Sequence, residues 1–135
     1  MKLTEEINEM SAQAQPATTI GKSFTTPDET RNIPKGKIEV VNLGDVQAMR
    51  ATFEPGWKWS ECVKPIAGTE SCQVAHLGYQ LSGQLAVRMD DGSEHEFGPG
   101  DACAIPPGHD AWVVGAEPVV IIDFQGATVY AKPQA

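Results

Sequence analysis

The clearest pattern along the chain is a two-residue alternation. Leu85, Val87 and Met89 alternate with Gln84, Ala86 and Arg88. That is the period of a strand with one face in a core and the other in water. Similar runs recur on both sides. Lys37–Leu43 is rich in Ile and Val and ends at Gly44-Asp45, and Val46–Phe53 stops before Pro55-Gly56. Thr69–Leu81 is a longer run with few breakers, and Ser93–Phe97, Asp101–Ile105, Trp112–Val114, Val119–Phe124 and Thr128–Tyr130 follow. Turn residues separate them: Asp91-Gly92 is a strong hairpin signal, and Gly98-Pro99-Gly100 and Pro106-Pro107-Gly108 break the chain. The pattern predicts eight or more short strands. No helical period alternates with them, which argues against a parallel βαβ sheet. An all-β closed barrel or two-sheet jelly roll fits, because closure hides strand edges.

Two stretches depart from this pattern. In residues 1–19, Leu3, Ile7 and Met10 recur at helical spacing and Thr4 can cap, so this part is expected to be a short helix or an arm. The plain alternative is a frayed terminus. Residues 20–135 then form a single β-barrel domain. Trp57–Gly68 fits no clean period and is expected to be a long ordered loop, a kind of segment that is often functional.

Composition narrows the setting. The chain has 135 residues, enough for one domain with its own core. Its 13 Gly and 10 Pro favour short strands and turns over long helices. The net charge of −8 makes nucleic acid and anionic membranes poor partners. No apolar run approaches the ~20 residues of a membrane span, and the N-terminus has no apolar secretory core. Three Cys is an odd count and argues against a disulfide framework, so the thiols are expected to be reduced and the protein cytoplasmic.

Two segments, HLGYQLSGQLAVRMDDGSEHEFGPGD (76–101) and GDACAIPPGHDAW (100–112), then stand out together. Their order of strand, Ser-Gly turn, strand, Asp-Asp-Gly hairpin, strand, Gly-Pro-Gly-Asp, strand and Ile-Pro-Pro-Gly-His resembles the small single-domain cupins. The resemblance covers about residues 45–125. It implies a jelly-roll barrel, one metal ion inside it, and a homodimer. The first cupin metal motif runs Gly, five residues, His, any, His, three or four residues, Glu, six residues, Gly. Anchored at Gly56, its His places fall on Cys62 and Lys64. Anchored at Gly83, its ligand places fall on Glu70, Cys72 and His76. In the second motif Gly100, Pro106 and Gly108 match, the His place is Ala111, and His109 stands two residues early.

Strand alternation puts Glu70, Cys72, Val74 and His76 on one face. In a flat strand Cys72 and His76 would lie ~13 Å apart, so one ion can join them only where the chain bends. Each candidate also has a plain reading. His76 is a neutral imidazole ligand or a buried His satisfied by a carbonyl. Cys72 is a thiolate ligand or a small buried hydrophobe. Cys62, near Lys64, is a ligand, a nucleophile or a loop residue. His109 adjoins Asp110, which can orient its ring or raise its pKa, and is otherwise a surface His. Glu70 is a ligand, a general base or a surface carboxylate. Cys103 is read as core and His95 as solvated. A disulfide between Cys62 and Cys72 would need demanding geometry. Trp57, Trp59, Tyr79 and Trp112 are candidates for the wall of a small-molecule pocket, or for simple barrel filling.

The leading expectation is a metal-dependent barrel acting on a small molecule, with chemistry of the dioxygenase, isomerase or lyase type. Cys72, His76 and His109 would hold one Zn, Fe, Ni, Cu or Mn ion, with Cys62 or Glu70 as a fourth ligand. Three protein ligands would leave an open position for water or substrate. The rival expectation is a non-catalytic ligand-binding or sensor module, with or without a metal, and a third is a metal-free barrel used for assembly.

Overall fold

A computed structural model describes residues 18–133. Nine strands account for most of it: β1 (Glu29–Ile33), β2 (Gly36–Leu43), β3 (Val46–Phe53), β4 (His76–Ser82), β5 (Gln84–Met89), β6 (Glu94–Phe97), β7 (Ala102–Ile105), β8 (His109–Val114) and β9 (Val119–Asp123). Two helices of four residues, α1 (Trp59–Cys62) and α2 (Lys64–Ala67), lie between β3 and β4. One sheet has six strands in the order β1-β2-β3-β9-β4-β7, and the other has three in the order β6-β5-β8. The strand pairings within these sheets are antiparallel. The neighbours β3-β9 and β9-β4 are far apart in sequence, so the sheet is closed by crossovers rather than by hairpins alone.

The core lies between the sheets. Ile38, Val40, Met49, Ala51 and Phe53 of the larger sheet meet Leu85, Val87, Ala111 and Val113 of the smaller one in a single buried cluster. Each set follows the strand period, so burial of one face per strand is the main stabilising term. Phe53 stacks on Trp57 with ring centroids 3.8 Å apart, filling one end. Outside the larger sheet, Leu77, Tyr79 and Leu81 of β4 and Phe124 beyond β9 are exposed.

The two-sheet, all-β expectation holds, and Val46–Phe53 is a strand over the expected bounds. Four segments differ. β1 has no apolar alternation to reveal it, because its inward positions are Arg31 and Ile33. Trp57–Gly68 is ordered but contains α1 and α2, whose turns are too short to print a helical period. The run from Thr69 becomes a strand only at His76; before it Cys72 makes an isolated bridge to His109. Thr128–Tyr130 is a turn, with the Val129 and Tyr130 amides donating to the Gly126 carbonyl, so local curling overrides β-propensity there. The expected arm over residues 1–19 lies almost wholly outside the described residues. Among those residues no helix is long and apolar enough to cross a membrane.

Candidate metal centre

Three segments bring the candidate ligands together. β4 begins at His76, which faces the barrel interior beside Gly78. Gly78 has to be glycine: a Cβ there would stand 2.2 Å from the Ile122 carbonyl oxygen of β9. His109 opens β8 and is buried, 3% exposed. Cys72 is tied to it by backbone: the Cys72 amide donates to the His109 carbonyl at 2.7 Å, and the Gly108 amide donates to the Cys72 carbonyl at 2.7 Å. Residues 73–75 are not in a strand, and the chain between Cys72 and His76 departs from the flat geometry that would hold them apart. Cys72 Sγ lies 3.7 Å from His76 Nε2. The ligand atoms of Cys72, His76 and His109 all fall within 4.8 Å of one another.

The other ring nitrogens define the tautomers. His109 Nδ1 lies 2.8 Å from the Pro106 carbonyl oxygen. A carbonyl can only accept, so Nδ1 donates and the neutral ring keeps its lone pair on Nε2. His76 Nδ1 lies 2.5 Å from Asp123 Oδ2. Burial pushes the Asp123 carboxyl up, but the hydrogen bond and charge of His76 and the Gly126 and Gln125 amides outweigh it and hold the group below its usual range. Asp123 is therefore the acceptor, and Nε2 of His76 is also left free as a ligand atom. Its other oxygen, Oδ1, accepts from the amides of Leu77 (3.4 Å), Gln125 (2.7 Å) and Gly126 (3.0 Å). Such a carboxylate–His pair is the common support of a metal-bound imidazole.

The remaining charges follow burial. The His109 pKa falls to about 4, through burial first and the neighbouring His76 second. Burial likewise raises the Cys72 thiol to about 11, helped by Asp123 and Asp110. Tyr130, fully enclosed, is raised well above its ordinary value by burial first and by the surrounding thiols and carboxylates second. Burial thus leaves a neutral His109 imidazole and a neutral Cys72 thiol beside the His76–Asp123 pair.

The space beside these groups is a cavity of about 40 Å³ bordered by Met49, Phe53, Trp57, Trp59, Ile121 and Tyr130, besides His76, His109 and Asp123. At roughly 10–15 Å³ per water-sized atom it admits about three. Trp57 and Trp59 border it, both almost fully buried. Tyr79 does not: it points away from the barrel on β4 and is exposed, because it is odd-numbered where the inward positions of that strand are even. Trp112 does not either: it is on the outer side of β8, half-buried, with Lys58 Nζ and the Arg88 guanidinium 5.4 and 5.6 Å from its ring. Glu70 is exposed and ion-paired with Lys64 at 3.0 Å, so it cannot serve as fourth ligand. Cys62 is buried on α1 but lies outside the Cys72–His76–His109 group. The described cysteines are all free thiols, which excludes the Cys62–Cys72 disulfide here. Asp110 does not orient His109; its Oδ1 accepts from the amides of Ser60 (3.0 Å) and Ala111 (2.9 Å). Nor does it raise the His109 pKa on balance, since burial dominates. Cys103 is buried and His95 exposed, as read from the sequence.

Asp123 and Tyr130 are not among the candidate site residues that the sequence marks. The end of the Val119–Phe124 run held the only signal for Asp123: a charge at an inward position of an apolar strand. Tyr130 carried none, because its ring reaches the centre through a turn.

No protein-family model matches this sequence, and no curated protein does. Solved structures do. The chain is similar to KdgF from a Halomonas species at 17% identity and a TM-score of 0.56, over 82% of this chain and 94% of that one. It is similar to the oxalate decarboxylase of Lactobacillus farciminis, solved as a formate complex, at 17% identity and a TM-score of 0.55, over 76% of this chain and 32% of that one. A protein of unknown function from Rhizobium leguminosarum bv. viciae matches at 19% identity and a TM-score of 0.55, over 80% of this chain and 96% of that one. The fold is of the cupin type. Likeness at these identities concerns the fold and not the reaction.

Proposed function

We propose that this protein is a metal-dependent cupin-type barrel that acts on a small molecule next to a Cys72–His76–His109 centre. One observation carries the reading: two imidazoles, each with Nδ1 engaged by a fixed acceptor, and one buried thiol bring ligand atoms within 4.8 Å of one another, with His76 Nε2 3.7 Å from Cys72 Sγ. That donor set fits a metal ion. A thiolate with two imidazoles favours Zn, Fe or Cu over Mn, which prefers oxygen ligands. Three protein ligands leave a position open to the cavity. A bound metal would supply Lewis acidity there, or redox chemistry in the case of iron or copper.

The chain's own residues do the rest. Asp123 holds the His76 ring and its tautomer, and the Pro106 carbonyl does the same for His109. Cys72, held protonated by burial, must give up its proton to become a ligand, so metal uptake releases a proton. Trp57, Trp59, Phe53 and Met49 keep bulk water out and raise the strength of each polar contact inside. The cavity volume restricts the substrate to a molecule that presents only a few atoms at a time. Dioxygenase, isomerase and lyase chemistry all remain within this reading.

Elemental analysis of the natively purified, untagged protein is the test. About one equivalent of a transition metal per chain is expected. Zinc would favour Lewis-acid chemistry, and iron or copper would favour oxygen chemistry. No metal, even after reconstitution, would remove this mechanism and leave a non-catalytic ligand-binding barrel as the better reading; the small and mostly apolar cavity favours that alternative.

A further inference from the structure

Arg31 has no role in anything described so far, yet it is one of the few charged side chains inside the protein, 8% exposed. Its guanidinium reaches across to the far end of the chain. Nη1 donates to the Ala127 carbonyl at 2.7 Å and to the Tyr130 carbonyl at 2.8 Å. Nε and Nη2 are held by the two carboxylate oxygens of Glu29 at 2.7 and 3.1 Å. Burying a guanidinium is costly unless every donor is used, and here two of the partners are backbone carbonyls of a single turn.

That turn, Phe124–Tyr130, follows directly on β9 and has no strand ladder of its own. Its start is pinned at the centre by Asp123. In its middle, Gly126 lies so close that a Cβ would stand 2.9 Å from His76 Nδ1 and 2.8 Å from Val74. At its end the Tyr130 ring meets the His76 ring edge-on, with centroids 5.1 Å apart, and borders the cavity. The turn is therefore a wall of the cavity made of locally curled chain, and Arg31 ties down its far end.

We propose that Arg31 is a positioning residue: by clamping the Ala127 and Tyr130 carbonyls it holds Tyr130 against His76 and sets the size of ligand that can reach the centre. This rests on the metal-centre reading above. Lysine cannot make the same two bonds while pairing bidentately with Glu29, so Arg31→Lys should restore only part of the function.

Two measurements on the full chain test it. The first needs no metal: hydrogen exchange of the amides of residues 125–131 in Arg31→Met. At least tenfold faster exchange there is expected, with the β2–β3 ladder unchanged. The second uses the cobalt(II)-loaded protein and its visible spectrum, titrated with azide and with imidazole. Arg31→Met should bind the bulkier imidazole at least tenfold more tightly and azide within threefold of the parent, with Arg31→Lys in between. Unchanged exchange in the turn, exchange raised evenly over the whole barrel, or equal shifts for the two probes would each overturn the proposal. Should Arg31→Met fail to fold, Tyr130→Ala keeps the clamp and removes the ring. It should relax the size limit in the same way, and an unchanged imidazole affinity would overturn the proposal. If the parent protein takes up no cobalt, the metal reading fails, while the exchange experiment still decides the clamp.

Discussion

Two hollows among the described residues differ in size, and the smaller one has the chemistry. The cleft bounded by β5, β6 and β7 measures about 270 Å³, against about 40 Å³ inside the barrel. The cleft also contains a histidine, but its polar groups do not converge. His95 is exposed and stacks on Phe97, with centroids 5.2 Å apart, and Glu94 is taken up by Arg88 at 2.6 Å. In the barrel, burial removes water from His109 and Cys72, and fixed acceptors orient both imidazoles. A site is made by lone pairs that are desolvated, oriented and brought together, and volume alone supplies none of these.

The sharpest way to break this contrast is to remove one histidine from each hollow. His76→Ala should lower metal affinity by more than about 100-fold, while His95→Ala leaves it unchanged and alters stability by less than about 0.5 kcal/mol. Metal content after dialysis reads the first and urea unfolding the second. Full retention of metal by His76→Ala would sink the assignment.

Protonation provides a test without metal. The folded His109 pKa of about 4 lies below the ordinary 6.5. The unfolded chain therefore takes up the proton first as pH falls. The His109 contribution is fully present above pH 6.5 and is lost progressively toward pH 4, by about 3 kcal/mol in all. Urea unfolding of the metal-free protein at pH 7 and pH 4.5, compared with His109→Gln, measures it. The variant should lose less stability over that interval, and an identical pH dependence would show that His109 is not buried neutral.

The smallest effect concerns the support rather than the ligand. Asp123→Asn keeps the shape but loses the charge that strengthens His76 as a ligand. A 10- to 100-fold loss in metal affinity is expected, with metal still bound at high concentration. A competition titration against a chelator reads it, and an unchanged affinity would mean that the 2.5 Å contact only positions the ring.

The fold was legible because its signals are local. Strand alternation such as Gln84–Met89 and turn residues such as Asp91-Gly92 report on neighbours along the chain. β1 has no local signal, because its buried Arg31 is satisfied by carbonyls nearly a hundred positions away. The candidate centre was half legible. His76, His109 and Cys72 stood out as scarce residue types near a resembling motif. Glu70 shares the alternation of Cys72 and His76 but lies where the strand has not yet begun, and Tyr79 and Trp112 fall on outward positions.

By itself the sequence determined the all-β class, most strand positions and the residue types available for chemistry, since these follow from period and composition. Only the tertiary structure decided which groups meet. It placed Cys72 against His109 by a backbone bridge, Asp123 behind His76 by the β4–β9 pairing, and Tyr130 against His76 through a turn whose carbonyls Arg31 bonds. Contact between residues dozens of positions apart depends on register and crossover, and no local pattern of side chains encodes either.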